Sequence, residues 1–177
     1  MPVAPEAILQ DHEGRSMLRF ERHLHHPPEW VWQALTELDE LRAWHPSPFT
    51  FEPQVGGSLS YAPLPDGTEL QGELVEYDPP RRLAYTWGED VLRWELERDG
   101  EGSRLVLVHI FDDRFKAARD AAGWHLCLDA LAATLDGARP PHGEDGERLP
   151  GGWPELNAAY EERFGIPPEK ATPPPKL

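Results

Sequence analysis

The sequence has one cysteine, few basic residues and no long apolar run, and each shortage excludes a class of protein. Cys127 is the only cysteine among 177 residues, so neither an internal disulfide nor a cysteine-based metal site can form. Lys and Arg total 17 against 32 Asp and Glu, a formal net charge of −15 that repels nucleic-acid phosphates and anionic membranes. No apolar stretch approaches the length of a membrane span, and the N-terminus lacks a signal-peptide pattern. We therefore expect a cytoplasmic protein that binds neither nucleic acid nor a membrane.

The residues that are present form a series of strand patterns around two short helical ones. The stretch "SMLRFERHL", from Ser16, alternates apolar and polar residues with the period of a half-buried strand. It ends before Pro27-Pro28, and "PEWVWQALTEL" and "DELRAW" then predict two short helices. Further strand patterns follow at short spacing: "GGSLSYAPL", "TELQGELVEY", "RLAYTW", "VLRWELE" and "SRLVLVHIF". Short connections indicate hairpins and hence an antiparallel meander.

Alternation along three of these strands predicts one buried face of the sheet. The inward positions are apolar or aromatic apart from one histidine: Leu83, Tyr85, Trp87, Leu92, Trp94, Leu96, Leu105, Leu107, His109 and Phe111. The opposite face of the middle strand carries Arg93, Glu95 and Glu97 and is expected to be solvated. A long helix over about residues 116–136 has apolar residues at helical spacing, including Trp124 and Leu128, and is expected to cross the buried face.

Composition divides the chain into three parts. Residues 1–15 form an N-terminal arm or short strand, residues 16–137 the main domain, and residues 138–177 a proline-rich extension. Within the extension, Trp153, Leu156, Tyr160 and Phe164 recur at helical spacing, which predicts a short helix near 153–164.

Five stretches in this order carry a resemblance to a known family: "FERHLHHPPEWVWQALTELDELRAWH", "VGGSLSY", "GELVEYDPPRRLAYTW", "RWELERDGEGSRLVLVH" and "AAGWHLCLDALAATL". Together they resemble the SRPBCC superfamily, which has the START-like, helix-grip fold, and within it the branch of homologues of the activator of the heat-shock-protein-90 ATPase. The resemblance covers roughly residues 16–137. It implies an α+β fold in which a curved antiparallel sheet of six to seven strands wraps a long C-terminal helix, with two short helices after the first long strand.

The resemblance leaves several functions open, because fold alone does not determine function. SRPBCC members include lipid and hormone binders, polyketide cyclases and aromatases, and chaperone-associated domains. We predict non-catalytic binding of a small hydrophobic molecule in the cavity between the long helix and the sheet. The alternatives are a cyclase/aromatase-like enzyme and a chaperone-associated interaction domain, although co-chaperone activity in eukaryotic members also draws on a separate domain, which we do not expect in this sequence. We expect no cofactor, and a second copy of the chain or a chaperone is a further partner to consider.

The expected ligand-binding residues are Trp44, Phe51, Tyr85, Trp87, Trp94, His109, Trp124 and Leu128, with Trp44 and Phe51 at the entrance. The same aromatic pattern also fits ordinary core packing. If the protein is an enzyme, the candidates for catalysis are His109, Arg22 and Tyr85. His109 also fits a structural histidine, for which no acidic partner is evident in the sequence, and Arg22 fits a salt bridge or a side chain that reaches the rim.

Two further features allow more than one interpretation. Gly123 lies within the long helix, where glycine costs about 1 kcal/mol relative to alanine. It indicates a close approach of ligand or sheet, a kink, or a helix that begins after it. The stretch "HLHH" at residues 23–26 places His23 and His25 on one strand face, but nothing nearby completes a set of metal ligands, so we expect surface histidines and no metal.

Overall fold

Strands and helices follow the expected order in the computed structural model, which describes residues 4–64, 66–138 and 152–173. The eight strands within these residues are β1 (Ile8–His12), β2 (Arg15–Leu24), β3 (Phe49–Phe51), β4 (Ser58–Tyr61), β5 (Gln71–Asp78), β6 (Arg82–Trp87), β7 (Asp90–Asp99) and β8 (Gly102–Phe111). The α-helices there are α1 (Pro28–Thr36), α2 (Leu38–Trp44), α3 (Ala117–Leu135) and α4 (Trp153–Phe164). None of these helices is long and apolar enough to cross a membrane.

The strands form one antiparallel sheet in the order β1-β2-β8-β7-β6-β5-β4-β3. This confirms the α+β helix-grip fold, with more strands than the six to seven expected. The uncounted strands are short and lie at the two edges of the sheet. β3 has three residues, too few for an alternating pattern to be recognised, and β1 had been assigned only to an arm or short strand.

The register of the central strands brings the expected inward residues together. Leu83 lies opposite Trp94, Tyr85 opposite Leu92, and Leu92 opposite His109. All of these side chains are buried, α1 packs on β7 and β8, and Trp44 of α2 and Trp124 of α3 pack against Trp94. The outer face differs in part from the expectation. Arg93 and Glu97 do face outward, but Val106, Val108 and Ile110 of β8 form a second buried apolar cluster there.

The helix α3 spans 19 residues, about 28 Å at about 1.5 Å per residue, which is long enough to cross the sheet. It ends where Gly137 adopts a positive φ of 78°, a backbone conformation that favours glycine after a helix C-terminus.

The C-terminal extension returns to the domain through α4, which packs against α3 in the same chain. Trp153, Leu156, Tyr160 and Phe164 are its buried residues. The Tyr160 hydroxyl accepts hydrogen bonds from the backbone N–H groups of Glu6 and Ala7, at 3.1 and 3.3 Å. This one side chain therefore joins the N-terminal segment to α4.

Candidate functional site

A cavity of about 320 Å³ lies between the first turns of α3 and one end of the sheet. One part of its lining is apolar: Pro46, Leu70, Trp87, Trp124 and Cys127. The other part is polar or charged: Asp90, His109, Lys116, Arg119 and Asp120. The backbone of Gly88 and Gly123 completes the lining. The volume lies at the lower end of the range for small-molecule sites.

Strand register explains how the sheet contributes to this cavity. Trp87 ends β6 and lies opposite Asp90, the first residue of β7. Asp90 has the same alternation as Leu92, which lies opposite His109 on β8, so the side chains of Asp90 and His109 share the inner face. The stretch "GED" before Val91 is typical of a turn. Asp90 was therefore not predicted as a site residue, although its parity with Leu92 and Trp94 places it on the face of His109.

The hydrogen bonds of His109 define its protonation. Trp124 Nε1 donates to His109 Nδ1 at 3.1 Å, so Nδ1 carries no hydrogen, and Nε2 must then carry the hydrogen of the ring and donate it to Asp90 Oδ2 at 2.8 Å. Lys116 Nζ also donates to Asp90 Oδ2, at 2.7 Å. Burial by itself would raise the pKa of Asp90, but the hydrogen bonds from His109 and Lys116 outweigh burial and hold that pKa below its ordinary value. Asp90 is therefore ionised at neutral pH, and it is the acidic partner of His109 that the sequence did not reveal.

The mouth of the cavity holds a second ion pair. Arg119 Nε donates to Asp120 Oδ1 at 2.9 Å, and Lys116 Nζ lies 3.8 Å from Asp120 Oδ2. The four ionised side chains of the lining, Asp90, Asp120, Lys116 and Arg119, therefore carry opposite charges in equal number. The cavity has no net charge even though the chain as a whole is strongly acidic.

Asp90, His109 and Asp120 also have potential metal-ligand atoms within 4.8 Å of one another. Two contacts oppose a metal at this cluster. The Lys116 ammonium already provides the positive charge between the two carboxylates. A neutral histidine that bound a metal through Nε2 would carry its hydrogen on Nδ1, where the Trp124 N–H points. The donor set therefore fits a network of ion pairs and hydrogen bonds better than a metal centre.

The structure brings three of the eight expected ligand-binding residues to this cavity: Trp87, His109 and Trp124. It places four others in the closed core rather than in the lining: Trp44, Tyr85, Trp94 and Leu128. Phe51, which was expected at an entrance, packs half-buried against Phe49 and Tyr77, with ring centres 6.0 and 5.9 Å away.

The core aromatics are held by hydrogen bonds of their own. Ser47 donates its backbone N–H to His45 Nδ1 at 2.9 Å, so His45 Nε2 carries the hydrogen and donates to Tyr85 Oη at 3.0 Å. Trp94 Nε1 donates to the same oxygen at 3.0 Å, while Trp44 Nε1 donates to the backbone carbonyl of Ala34 at 2.8 Å. Burial lowers the pKa of His45 to about 3, which keeps the ring neutral.

Arg22, a candidate for catalysis, has a structural role and does not line the cavity. It pairs with Glu6 through Nε at 2.8 Å and with Asp129 on α3 through Nη1 at 2.8 Å. His125 lies in the same cluster, where its Nδ1 is 2.9 Å from the Tyr160 hydroxyl. Of the two alternatives for Arg22, the salt bridge is therefore the one observed, and it joins the N-terminal segment to α3 beside the docked α4.

Gly123 has an open environment within an uninterrupted helix. α3 starts at Ala117 and continues through Gly123 to Leu135, which contradicts the interpretation of a helix that begins later. A Cβ built on Gly123 would have no described protein atom of the core or sheet within 4 Å, so close packing against the sheet does not explain the glycine either. Gly123 is one of the residues that line the cavity.

Comparison with known proteins agrees with this architecture. The family described as "Activator of Hsp90 ATPase homolog 1-like protein" matches residues 25–136. A conserved protein of unknown function from Enterococcus faecalis superposes with a TM-score of 0.72 at 23% identity, over 90% of each chain. CalU16 from Micromonospora echinospora has a TM-score of 0.67 at 16% identity, over 90% of this chain and 95% of its own. A protein from Bordetella parapertussis has a TM-score of 0.62 at 28% identity, over 94% of this chain and 93% of its own. Curated protein sequences give no match.

Proposed function

The chain belongs to the family of activator of Hsp90 ATPase homolog 1-like proteins, and within that family we propose that it binds a small, largely hydrophobic molecule without transforming it. The molecule would occupy the cavity between α3 and the ends of β6, β7 and β8. Its apolar body would lie against Trp87, Trp124 and Leu70. Burial of apolar surface there contributes about 25 cal/mol for each Å² removed from water.

The observation that carries this proposal is the vacant space at Gly123. A glycine in the middle of a helix costs about 1 kcal/mol relative to alanine. Nothing in the described protein occupies the position that a Cβ would take, and the backbone there has no positive φ. Neither packing nor backbone geometry thus requires glycine. A requirement for open space beside Trp124 accounts for it.

The chemistry of the inner wall supports an apolar occupant. His109 uses both ring nitrogens within the protein, and Trp124 uses its only N–H on His109. His109 and Trp124 therefore present ring faces and carbon atoms to a ligand, although both residues have polar groups. Trp87 is half-buried and meets Trp124 edge to face, with ring centres 6.0 Å apart.

One observation favours the second candidate, a cyclase/aromatase-like enzyme. The cavity contains a hydrogen-bonded His109–Asp90 pair, and such a pair can act in general acid–base chemistry. Yet a histidine that exchanges a proton with a substrate needs a nitrogen that the substrate can reach. His109 is 1% exposed and has both nitrogens occupied, so we favour binding over catalysis. The chaperone-associated alternative predicts a filled cavity, which differs from the open one beside Gly123.

The test compares the wild-type protein with Gly123→Leu, whose side chain would enter the cavity, and with Ala133→Leu, a control on the same helix outside the lining. Native and denatured masses of each purified protein would reveal a retained molecule, and titration calorimetry with neutral 2-naphthamide would measure affinity. We expect Gly123→Leu to lose the retained molecule and to bind 2-naphthamide at least tenfold more weakly, while Ala133→Leu resembles the wild type. Equal binding by all three folded proteins would refute the proposal.

A further inference from the structure

The Arg119 guanidinium lies at the mouth of the cavity and uses only its Nε in a hydrogen bond to a described residue. We propose that the cavity selects ligands that carry a carboxylate on a flat apolar body, and that Arg119 binds this carboxylate. The inference rests on the proposed function and specifies the class of ligand.

Beside Trp124 and His109, hydrogen bonds within the protein leave the inner part of the cavity without a free donor. Trp124 has one N–H, which His109 Nδ1 accepts, and the one hydrogen on the His109 ring goes to Asp90. A polar group of the ligand placed there would lose its water and find no donor in return, which costs free energy. The polar end of a ligand must therefore lie toward the mouth.

At the mouth of the cavity, the charged side chains differ in how many of their groups have a hydrogen-bond or ion-pair partner in the protein. The Asp90 carboxylate accepts from His109 and Lys116, and Asp120 accepts from Arg119 Nε. Lys116 is held by Asp90 at 2.7 Å and by Asp120 at 3.8 Å. The two Nη groups of Arg119, by contrast, have no hydrogen-bond partner among the described residues. The planar edge that they form matches the two oxygens of a carboxylate, which a point-like lysine ammonium does not.

The environment of Arg119 suits a selective ion pair. Its side chain is 27% exposed, so the guanidinium can be reached from solvent but is partly shielded from it. Shielding strengthens a charge interaction relative to one at a fully exposed surface. The volume limits the rest of the ligand, since about 320 Å³ corresponds to about ten water molecules at roughly 30 Å³ each. That space fits a body of one or two rings.

The experiment compares two probes that differ only at the polar end, 2-naphthoate and neutral 2-naphthamide, by titration calorimetry at pH 7. The proteins are the wild type, Arg119→Gln, Arg119→Lys and the control Arg42→Gln, whose arginine pairs with Asp39 on the exposed side of α2. We expect the wild type and the control to bind naphthoate at least tenfold more tightly than naphthamide, a difference of about 1.4 kcal/mol. Arg119→Gln should remove this preference and leave naphthamide affinity unchanged, and Arg119→Lys should restore only part of it.

The possible failures are distinguishable. Equal affinity of the wild type for the two probes overturns carboxylate selection but leaves the cavity as a binding site. A preference for naphthoate that survives in Arg119→Gln overturns the role of Arg119. If neither probe binds the wild type, both this inference and the proposed function fail.

Discussion

Replacing Gly123 with alanine should stabilise the protein while narrowing the cavity. In a helix interior alanine is favoured over glycine by about 1 kcal/mol, because glycine loses more backbone entropy on folding. This gain can be offset only if the new methyl group clashes, and apart from the two chain neighbours and the adjacent backbone of α3 itself no described atom lies within 4 Å of it. We therefore expect the free energy of unfolding to rise by about 1 kcal/mol, which corresponds to about 2–4 °C in Tm for a chain of this size.

Gly137 supplies the matched control, since it is a glycine just after the end of α3 whose backbone conformation requires glycine. Its φ of 78° lies in the left-handed region, where alanine costs roughly 1–2 kcal/mol. The same substitution should therefore change stability in opposite directions at residues 123 and 137. Urea denaturation followed by circular dichroism at 222 nm would measure both changes.

The result that would refute this reasoning is a loss of stability in Gly123→Ala. The methyl group would then meet protein atoms, and the space beside Trp124 would be closed in solution. A gain in stability together with weaker 2-naphthamide binding would instead show that the glycine is kept for the cavity at a cost to the fold. Proteins often show such a trade-off between stability and function at their sites.

Two more predictions concern the buried polar groups. Because burial lowers the pKa of His45 to about 3 from 6.5, the unfolded state binds the proton first, so stability is full above pH 6.5 and falls as pH decreases toward 3. One pH unit below 6.5, this group lowers the free energy of unfolding by about 1.4 kcal/mol. Urea titrations from pH 7 to 4.5 should therefore show that stability depends less on pH in His45→Gln than in the wild type. An unchanged dependence on pH would contradict a neutral buried ring. Tyr160→Phe removes the acceptor of two backbone N–H groups and the partner of His125, which should cost about 1–3 kcal/mol. It should also speed hydrogen exchange at Glu6 and Ala7, and exchange rates equal to those of the wild type would show that this hydroxyl does not hold the N-terminal segment.

Sequence patterns predicted the fold well because the fold depends on periodic burial. Tyr85, Trp94 and Leu107 alternate along their strands, and that alternation alone places them on the face that α3 covers. The family match over residues 25–136 agrees with the resemblance drawn from the quoted stretches. Short edge strands such as Phe49–Phe51 were missed, because three residues do not establish a period.

The site could be predicted only in part, because burial does not distinguish a core aromatic from a lining one. Trp94 lies at an inward position of its strand and Trp124 at an inward position of its helix, and both are buried. They differ in the acceptor of the indole N–H group: Trp94 donates to Tyr85 in the core, whereas Trp124 donates to His109 beside the cavity. The acceptors lie 9 and 15 residues away along the chain, so the difference depends on three-dimensional register that local periodicity does not contain.

The hydrogen bonds of His109 and Asp90 support the proposal of binding over catalysis. Catalysis by a histidine and a carboxylate needs a proton that can move between the protein and a substrate. Here Trp124 donates a hydrogen bond to Nδ1 of His109. Asp90 accepts a hydrogen bond from Nε2, and the Lys116 ammonium balances its negative charge. A substrate would have to break one of these bonds before the pair could act. The network is therefore better suited to fixing the wall of a cavity than to transferring protons across it, which supports the proposal that the ring faces of Trp87 and Trp124 and the guanidinium of Arg119 recognise a ligand.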